Sequence, residues 1–150
     1  MVPNLAKFLL LKEVDLFFIS RNHFGNINYL IKKNRIKLYE FESLDAKDKN
    51  IIYEDNNYKK WLGCSELDDA KETIRILKLE RPTMTIVDHY SLGSVWEEHI
   101  KPFTDTIMAI DDIANRKHHC DILIDQNWYI EMHNRYSKLI SKHCLKLLGP

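Results

Sequence analysis

The sequence predicts an α/β fold, a doubly wound and mostly parallel sheet with helices on both faces. Three observations predict it. Short apolar runs rich in branched and aromatic residues, at 14–19, 83–87, 106–110 and 121–124, are spaced along the chain. Amphipathic stretches of helical period lie between several of them, and such alternation brings successive strands into parallel register. The length of 150 residues suits one domain able to bury about 68–70% of the surface its unfolded form exposes. Hydrophobic residues at 45% and charged residues at 29% are ordinary for a globular chain, which sets aside disorder, collagen-like repetition and a disulfide scaffold. The 22 basic and 22 acidic side chains cancel, so no basic surplus points to a nucleic acid. Cys64, Cys120 and Cys144 are too few and too scattered for a disulfide framework and fit a reducing compartment. The four glycines stand alone, where many phosphate-handling α/β domains open with a glycine-rich turn.

Taken in order, Leu5–Leu11 reads as a helix end and Val14–Ile19 as a strand after a tight turn. The stretch Leu5–Ser20 is apolar enough to imitate a signal-peptide core. Lys12, Glu13 and Asp15 interrupt it, and no run approaches the ~18 apolar residues of a membrane span. A cytoplasmic protein with no membrane partner is therefore expected. Asn26–Lys33 is helical, with Ile27, Leu30 and Ile31 on one face and Asn26 as its cap. Ile36–Phe41 alternates with period two, as a half-exposed strand does. Residues 43–58 are polar and read as a loop. Ser65–Leu79 is the clearest helix: Ser65 and Asp68 resemble a capping box, and Leu67, Ala70, Ile74 and Leu77 recur at helical spacing. Thr83–Val87, Leu92–Ile100, Thr106–Ile110 and Asp121–Ile124 then read as strand, helix, strand and strand. Asn134–Leu148 reads as mostly helical or irregular.

In parallel sheets ligands sit outside the carboxyl ends of the strands. Four polar clusters follow predicted strands: Ser20-Arg21-Asn22-His23, Asp88-His89-Tyr90-Ser91, Asp111-Asp112 and Asp125-Gln126-Asn127. Their convergence on one sheet edge would make a site; each would otherwise serve to cap the turn that follows. His89 and Tyr90 are candidates to touch a ligand. Arg21 is a candidate partner for an anionic group, or a surface ion pair. A Ser91, His89, Asp88 triad is disfavoured because a triad draws its members from separate elements. His118-His119-Cys120 and His143-Cys144 lack the paired spacing of zinc ligands, and Cys120 beside an apolar strand suits a buried, inert thiol. Asp111-Asp112 lacks the phosphate-cradling loop that would accompany magnesium, so one of the pair is expected to turn inward as a cap. No metal is expected. Trp61, Trp96 and Trp128 read as core or packing residues.

Val87-Asp88-His89-Tyr90, the run Ile110-Asp111-Asp112-Ile113-Ala114-Asn115-Arg116-Lys117-His118-His119-Cys120-Asp121, and Asp125-Gln126-Asn127 together resemble one family. It is the UDP-2,4-diacetamido-2,4,6-trideoxy-β-L-altropyranose hydrolases of pseudaminic acid biosynthesis. Ser20-Arg21-Asn22 with Gly25-Asn26, Trp61-Leu62-Gly63 and Leu147-Leu148-Gly149-Pro150 are similar too, so the resemblance covers nearly the whole chain in order. Related spore-coat and polysaccharide-biosynthesis proteins share much of the pattern. The resemblance implies the Rossmann-like amino-terminal domain of a two-domain, glycosyltransferase-B-like enzyme whose nucleotide is held mainly by the carboxy-terminal domain. It implies hydrolysis of a nucleotide sugar, releasing UDP and the free hexose, with no metal and no cofactor. Water attacks the anomeric carbon as UDP leaves, so a site must orient water and stabilise the departing diphosphate. Tyr90 of the D-H-Y motif would lie at the active-site edge, flanked by His89 and Asp88.

The chain departs from the family at both ends. The family's G-x-G-H-x-x-R turn carries its catalytic histidine and is followed by a helix that Leu5-Ala6-Lys7 fits. Met1 stands at about the position of that motif's arginine, so the first strand, the turn and the histidine are not in this sequence. His23 does not replace the histidine, because it follows the second strand of the pattern. The carboxy-terminal domain would begin beyond Pro150. The expectation is a partial domain over 1–150, marginally stable alone, that neither hydrolyses the nucleotide sugar nor binds UDP well. A partner chain would be one source of the missing strand or domain. The alternative is a non-catalytic binding or assembly protein of polysaccharide biosynthesis.

Overall fold

The computed structural model describes residues 2–23, 25–42 and 61–150. The chain divides into two compact units, Met1–Ile52 and Tyr53–Pro150, and each carries a parallel sheet of its own. The loop expected at 43–58 lies outside the described residues.

The first unit runs α1 (Val2–Leu11), β1 (Phe17–Arg21), α2 (Asn28–Lys33) and β2 (Lys37–Phe41). β1 and β2 pair in parallel from Phe17↔Lys37 to Arg21↔Phe41. β1 starts later than the apolar run at 14–19 because the helix stop occupies that run's first residues. Glu13 adopts φ 57°, its N–H bonds Leu10 C=O at 3.0 Å, and Val14 N–H reaches back to Leu9 C=O at 3.1 Å. That is a Schellman stop with a glutamate in the place usually taken by glycine. α2 ends the same way: Arg35 sits at φ 57° and Ile36 N–H bonds Ile31 C=O at 3.2 Å. Asn26 acts one residue ahead of the cap position, where its Oδ1 accepts from Asn28 N–H at 3.0 Å. Ile27 occupies the cap itself and makes no side-chain bond there.

The second unit runs α3 (Glu66–Glu80), β3 (Met84–Val87), α4 (Ser94–Ile100), a 3₁₀ turn (Lys101–Phe103), β4 (Thr106–Ile110), β5 (Ile122–Asp125), α5 (Met132–Arg135) and β6 (Leu145–Leu148). α3 starts where the sequence places it: Ser65 caps it, its Oγ accepting from Asp68 N–H at 3.1 Å and donating to Asp68 Oδ2 at 2.7 Å. It stops at Arg81, which takes the left-handed conformation and donates its N–H to Leu77 C=O at 2.8 Å. The sheet has the order β3-β4-β5-β6, every pair parallel. α3 and α4 pack against each other, and Leu77, Trp96, Ile100, Ile107 and Leu123 form the buried apolar core. Each such side chain contributes roughly 1.5–3 kcal/mol of burial.

The parallel α/β expectation holds. In both described sheets the strand order follows the chain, so the reversal of order that marks a doubly wound sheet is not seen among the described residues. Two further expectations are corrected. The segment 134–148 ends in a strand, because Leu145–Leu148 finds a full row of partners on β5 from Ile122↔Leu145 to Asp125↔Leu148. Trp128 is not a core residue: it is 68% exposed, whereas Trp96 is buried and donates its indole N–H to Asp69 at 2.9 Å. Among the described residues no helix is long and apolar enough to cross a membrane.

Candidate functional site

Three of the four polar clusters gather in the second unit, at the carboxyl ends of β3, β4 and β5. The crossover from β4 to β5 occupies residues 111–121 without a helix, and side chains do the work a helix would otherwise do. Arg116 is the main clamp. Its guanidinium donates to Asp111 Oδ1 at 2.6 Å, to Leu92 C=O at 2.7 Å and to His89 C=O at 3.2 Å. One side chain thereby ties the loop after β3 to the end of β4. Ser94 N–H closes the same seam on Lys117 C=O at 2.8 Å. Gly93 lets the two backbones meet, since a Cβ there would lie 3.0 Å from that carbonyl. Glu66, at the start of α3, accepts from Gly93 N–H at 3.1 Å and Trp96 N–H at 3.2 Å, satisfying donors at the start of α4.

Asp111 turns inward, as expected of one member of the pair. It is buried, and its Oδ2 accepts from Ala114 N–H at 2.9 Å, holding Ala114 at φ 48°. Asp112 points the other way. Its Oδ2 accepts from Asn127 Nδ2 at 3.1 Å, and its carbonyl accepts from the Tyr129 hydroxyl at 3.1 Å and from Arg135. Asp125 is buried at the end of β5, held by Asn127 N–H at 3.0 Å, Arg135 Nε at 3.2 Å and the Tyr136 hydroxyl at 2.9 Å. That hydroxyl also approaches Asp111 C=O at 2.8 Å, so a single proton is shared between two strand ends. The Arg135 guanidinium lies 3.6 Å over the Tyr129 ring.

Asp88, His89 and Tyr90 line the loop after β3. The Tyr90 ring packs against Trp61, centroids 5.8 Å apart. Its phenol is pushed up to about 12, first by burial, then by the hydrogen bond to Asp112 and the charges of Asp112, Asp88 and Asp111. It is therefore a hydrogen-bond donor at neutral pH. The Asp88 carboxyl is raised, chiefly by desolvation, with the Asp112 charge acting in the same direction. His89 Nδ1 accepts from Ser91 N–H at 3.1 Å. A backbone N–H can only donate, so the neutral ring carries its proton on Nε2. Ser91 meets His89 through its backbone, and the triad arrangement does not form.

Arg21 lies in the first unit, buried, with its guanidinium donating to Glu42 C=O at 2.8 Å and lying 5.3 Å over the Phe41 ring. These contacts secure the end of β2, and the other three clusters meet within the second unit. His118 turns into the core, its Nδ1 2.7 Å from buried Glu97, whose other oxygen accepts from His119 N–H. Arg116, Arg135, Tyr136 and Glu97 organise the edge, and sequence reasoning did not single them out. Arg116 and its partner Asp111 sit within one motif, which is the one local signal that pointed to it.

Carboxylates dominate the edge. Asp111 is neutralised by Arg116 and Asp125 by Arg135, whereas the Asp112 carboxylate takes hydrogen bonds from neutral Asn127 and Tyr90. Such an edge accepts hydrogen bonds from hydroxyl and amide donors and repels phosphate. Comparison with protein-family models and with curated proteins finds no match to the chain. Fold and site together define a parallel α/β chain with a tyrosine- and carboxylate-lined strand edge.

Proposed function

We propose that this edge holds the sugar of a nucleotide-linked 2,4-diacetamido-2,4,6-trideoxyhexose, as part of a nucleotide-sugar hydrolase of glycosyltransferase-B-like architecture. The observation that carries the reading is the Tyr90 phenol, protonated and hydrogen-bonded to Asp112, with Asp88 beside it at the mouth of β3 and β4. Acetamido N–H and hydroxyl groups are the donors that such carboxylates accept. The motif resemblance through 110–121 supports the same ligand. In this reading the residues of this edge contribute sugar binding.

A non-catalytic binding role in polysaccharide biosynthesis is the second reading. It is favoured by the commitment of Asp111, Asp125, Glu97 and His118 to internal bonds, which leaves the edge better supplied with binding groups than with a base. Calorimetric titration tests the shared premise. The intact chain should bind the sugar nucleotide more tightly than UDP alone. Tyr90→Phe should weaken that binding about tenfold, the equivalent of roughly 1.4 kcal/mol, with little change in melting temperature. Equal affinity for UDP and the sugar nucleotide would contradict the proposal. UDP release from the same mixture at an enzymatic rate would remove the binding-only reading.

A further inference from the structure

Cys120 and Cys144 stand at the opposite end of the sheet from the candidate site, at the entries to β5 and β6. Both are buried, and their Sγ atoms lie 3.7 Å apart. We propose that they form a modification site: a dithiol that a hydroperoxide converts to an intrachain disulfide.

Geometry supports the pairing. Leu145 N–H bonds Asp121 C=O at 2.8 Å, so the backbones that carry the two cysteines run side by side. The register Ile122↔Leu145 sets Cys120 one residue out of line with Cys144, on adjacent strands about 4.8 Å apart. With the two Sγ atoms already 3.7 Å apart, a bond about 2.05 Å long needs them to close the remaining gap. Access comes from the Cys144 side. β6 is the edge strand of the described sheet, and Lys142, His143 and Leu145 around Cys144 are exposed. The hydrogen bond between them lowers the Cys144 thiol and raises that of Cys120, so the thiolate forms at Cys144.

The chemistry closes without another reactant. The Cys144 thiolate attacks a peroxide oxygen, the O–O bond breaks, hydroxide leaves and Cys144 becomes a sulfenic acid. The Cys120 sulfur then attacks the Cys144 sulfur. The S–S bond forms, the S–O bond breaks, and the departing hydroxyl leaves as water with the Cys120 proton. The peroxide is reduced by the two electrons that the thiols lose. The disulfide closes a loop that carries Asp125, Arg135 and Tyr136, so oxidation would fasten the base of the segment that shapes the site.

The test uses the intact chain and hydrogen peroxide in slight excess, followed by thiol titration in denaturant. Titratable thiols should fall from the three of the sequence to one. Peptide mapping should find Cys120 joined to Cys144, and dithiothreitol should restore all three. Cys64→Ser should leave the loss of two thiols intact, whereas Cys144→Ser should abolish it. Mapping on the unmodified sequence decides the matter even if a cysteine variant fails to fold. Three thiols surviving in the folded chain, a bridge involving Cys64, or irreversible oxidation of one cysteine without a link would each overturn the proposal.

Discussion

Asp88 shows how a residue's chemistry and its cost to folding are linked. Burial, and then the Asp112 charge, raise its carboxyl in the folded chain. A raised acid stabilises the fold in its protonated form. That contribution is present below the ordinary aspartate range and is lost as pH rises through the folded value, so at neutral pH the group no longer stabilises the chain. Asp88→Asn should therefore raise the melting temperature at neutral pH by at most a few degrees, because the group is partly solvent-screened. At about pH 3, where Asp88 is protonated in either state, the gain should disappear. A melting temperature lowered by the substitution at neutral pH would contradict the assignment. The position of Asp88, His89 and Tyr90 at the end of a parallel strand was legible in the sequence because they directly follow an apolar run that forms β3. Arg116 was harder to read. It joins Asp111, Leu92 and His89, and two of these lie 24 and 27 residues away; the local motif supplies Asp111 but not those two carbonyls.

At the scale of elements, the scarcity of glycine has a structural counterpart. Glu13, Arg35, Arg81 and Ala114 all take positive φ, between 48° and 57°, where a Cβ costs on the order of 1–2 kcal/mol. Three of them end helices. Arg81→Gly should stabilise the second unit by up to about 1 kcal/mol, the relief of strain exceeding the entropy that glycine adds to the unfolded chain. Thermal melts that place Arg81→Gly below the parent would show that the arginine contributes contacts worth more than the strain. Helix α3 was readable in full, since its cap, period and stop are all local. β6 was not, because four residues of Leu-Lys-Leu-Leu carry too little pattern to distinguish strand from helix, and the pairing with β5 decides. The helix-free crossover at 111–121 was equally hidden: its order comes from Asp111, Arg116 and Tyr136, which tertiary structure brings together.

For the whole molecule, apolar runs alone predicted parallel α/β structure but not its division. The run at 14–19 resembles those at 83–87 and 106–110, yet β1 pairs only with β2 among the described strands, and the second unit holds four strands of its own. Within the second unit, the clusters at 88–91, 111–112 and 125–127 share the carboxyl edge of the four-stranded sheet. The zero net charge of the chain conceals this edge, where Asp88 and Asp112 face the Tyr90 phenol while the neighbouring aspartates are paired with arginine. Backbone amide chemical-shift mapping on the isotope-labelled intact chain, titrated with the sugar nucleotide and separately with UDP, tests the claim most directly. Shifts should concentrate at 88–91, 111–115 and 126–129 with the sugar nucleotide and be much weaker with UDP; unperturbed amides at these positions under saturating sugar nucleotide, or identical shifts from UDP alone, would contradict the proposed sugar site.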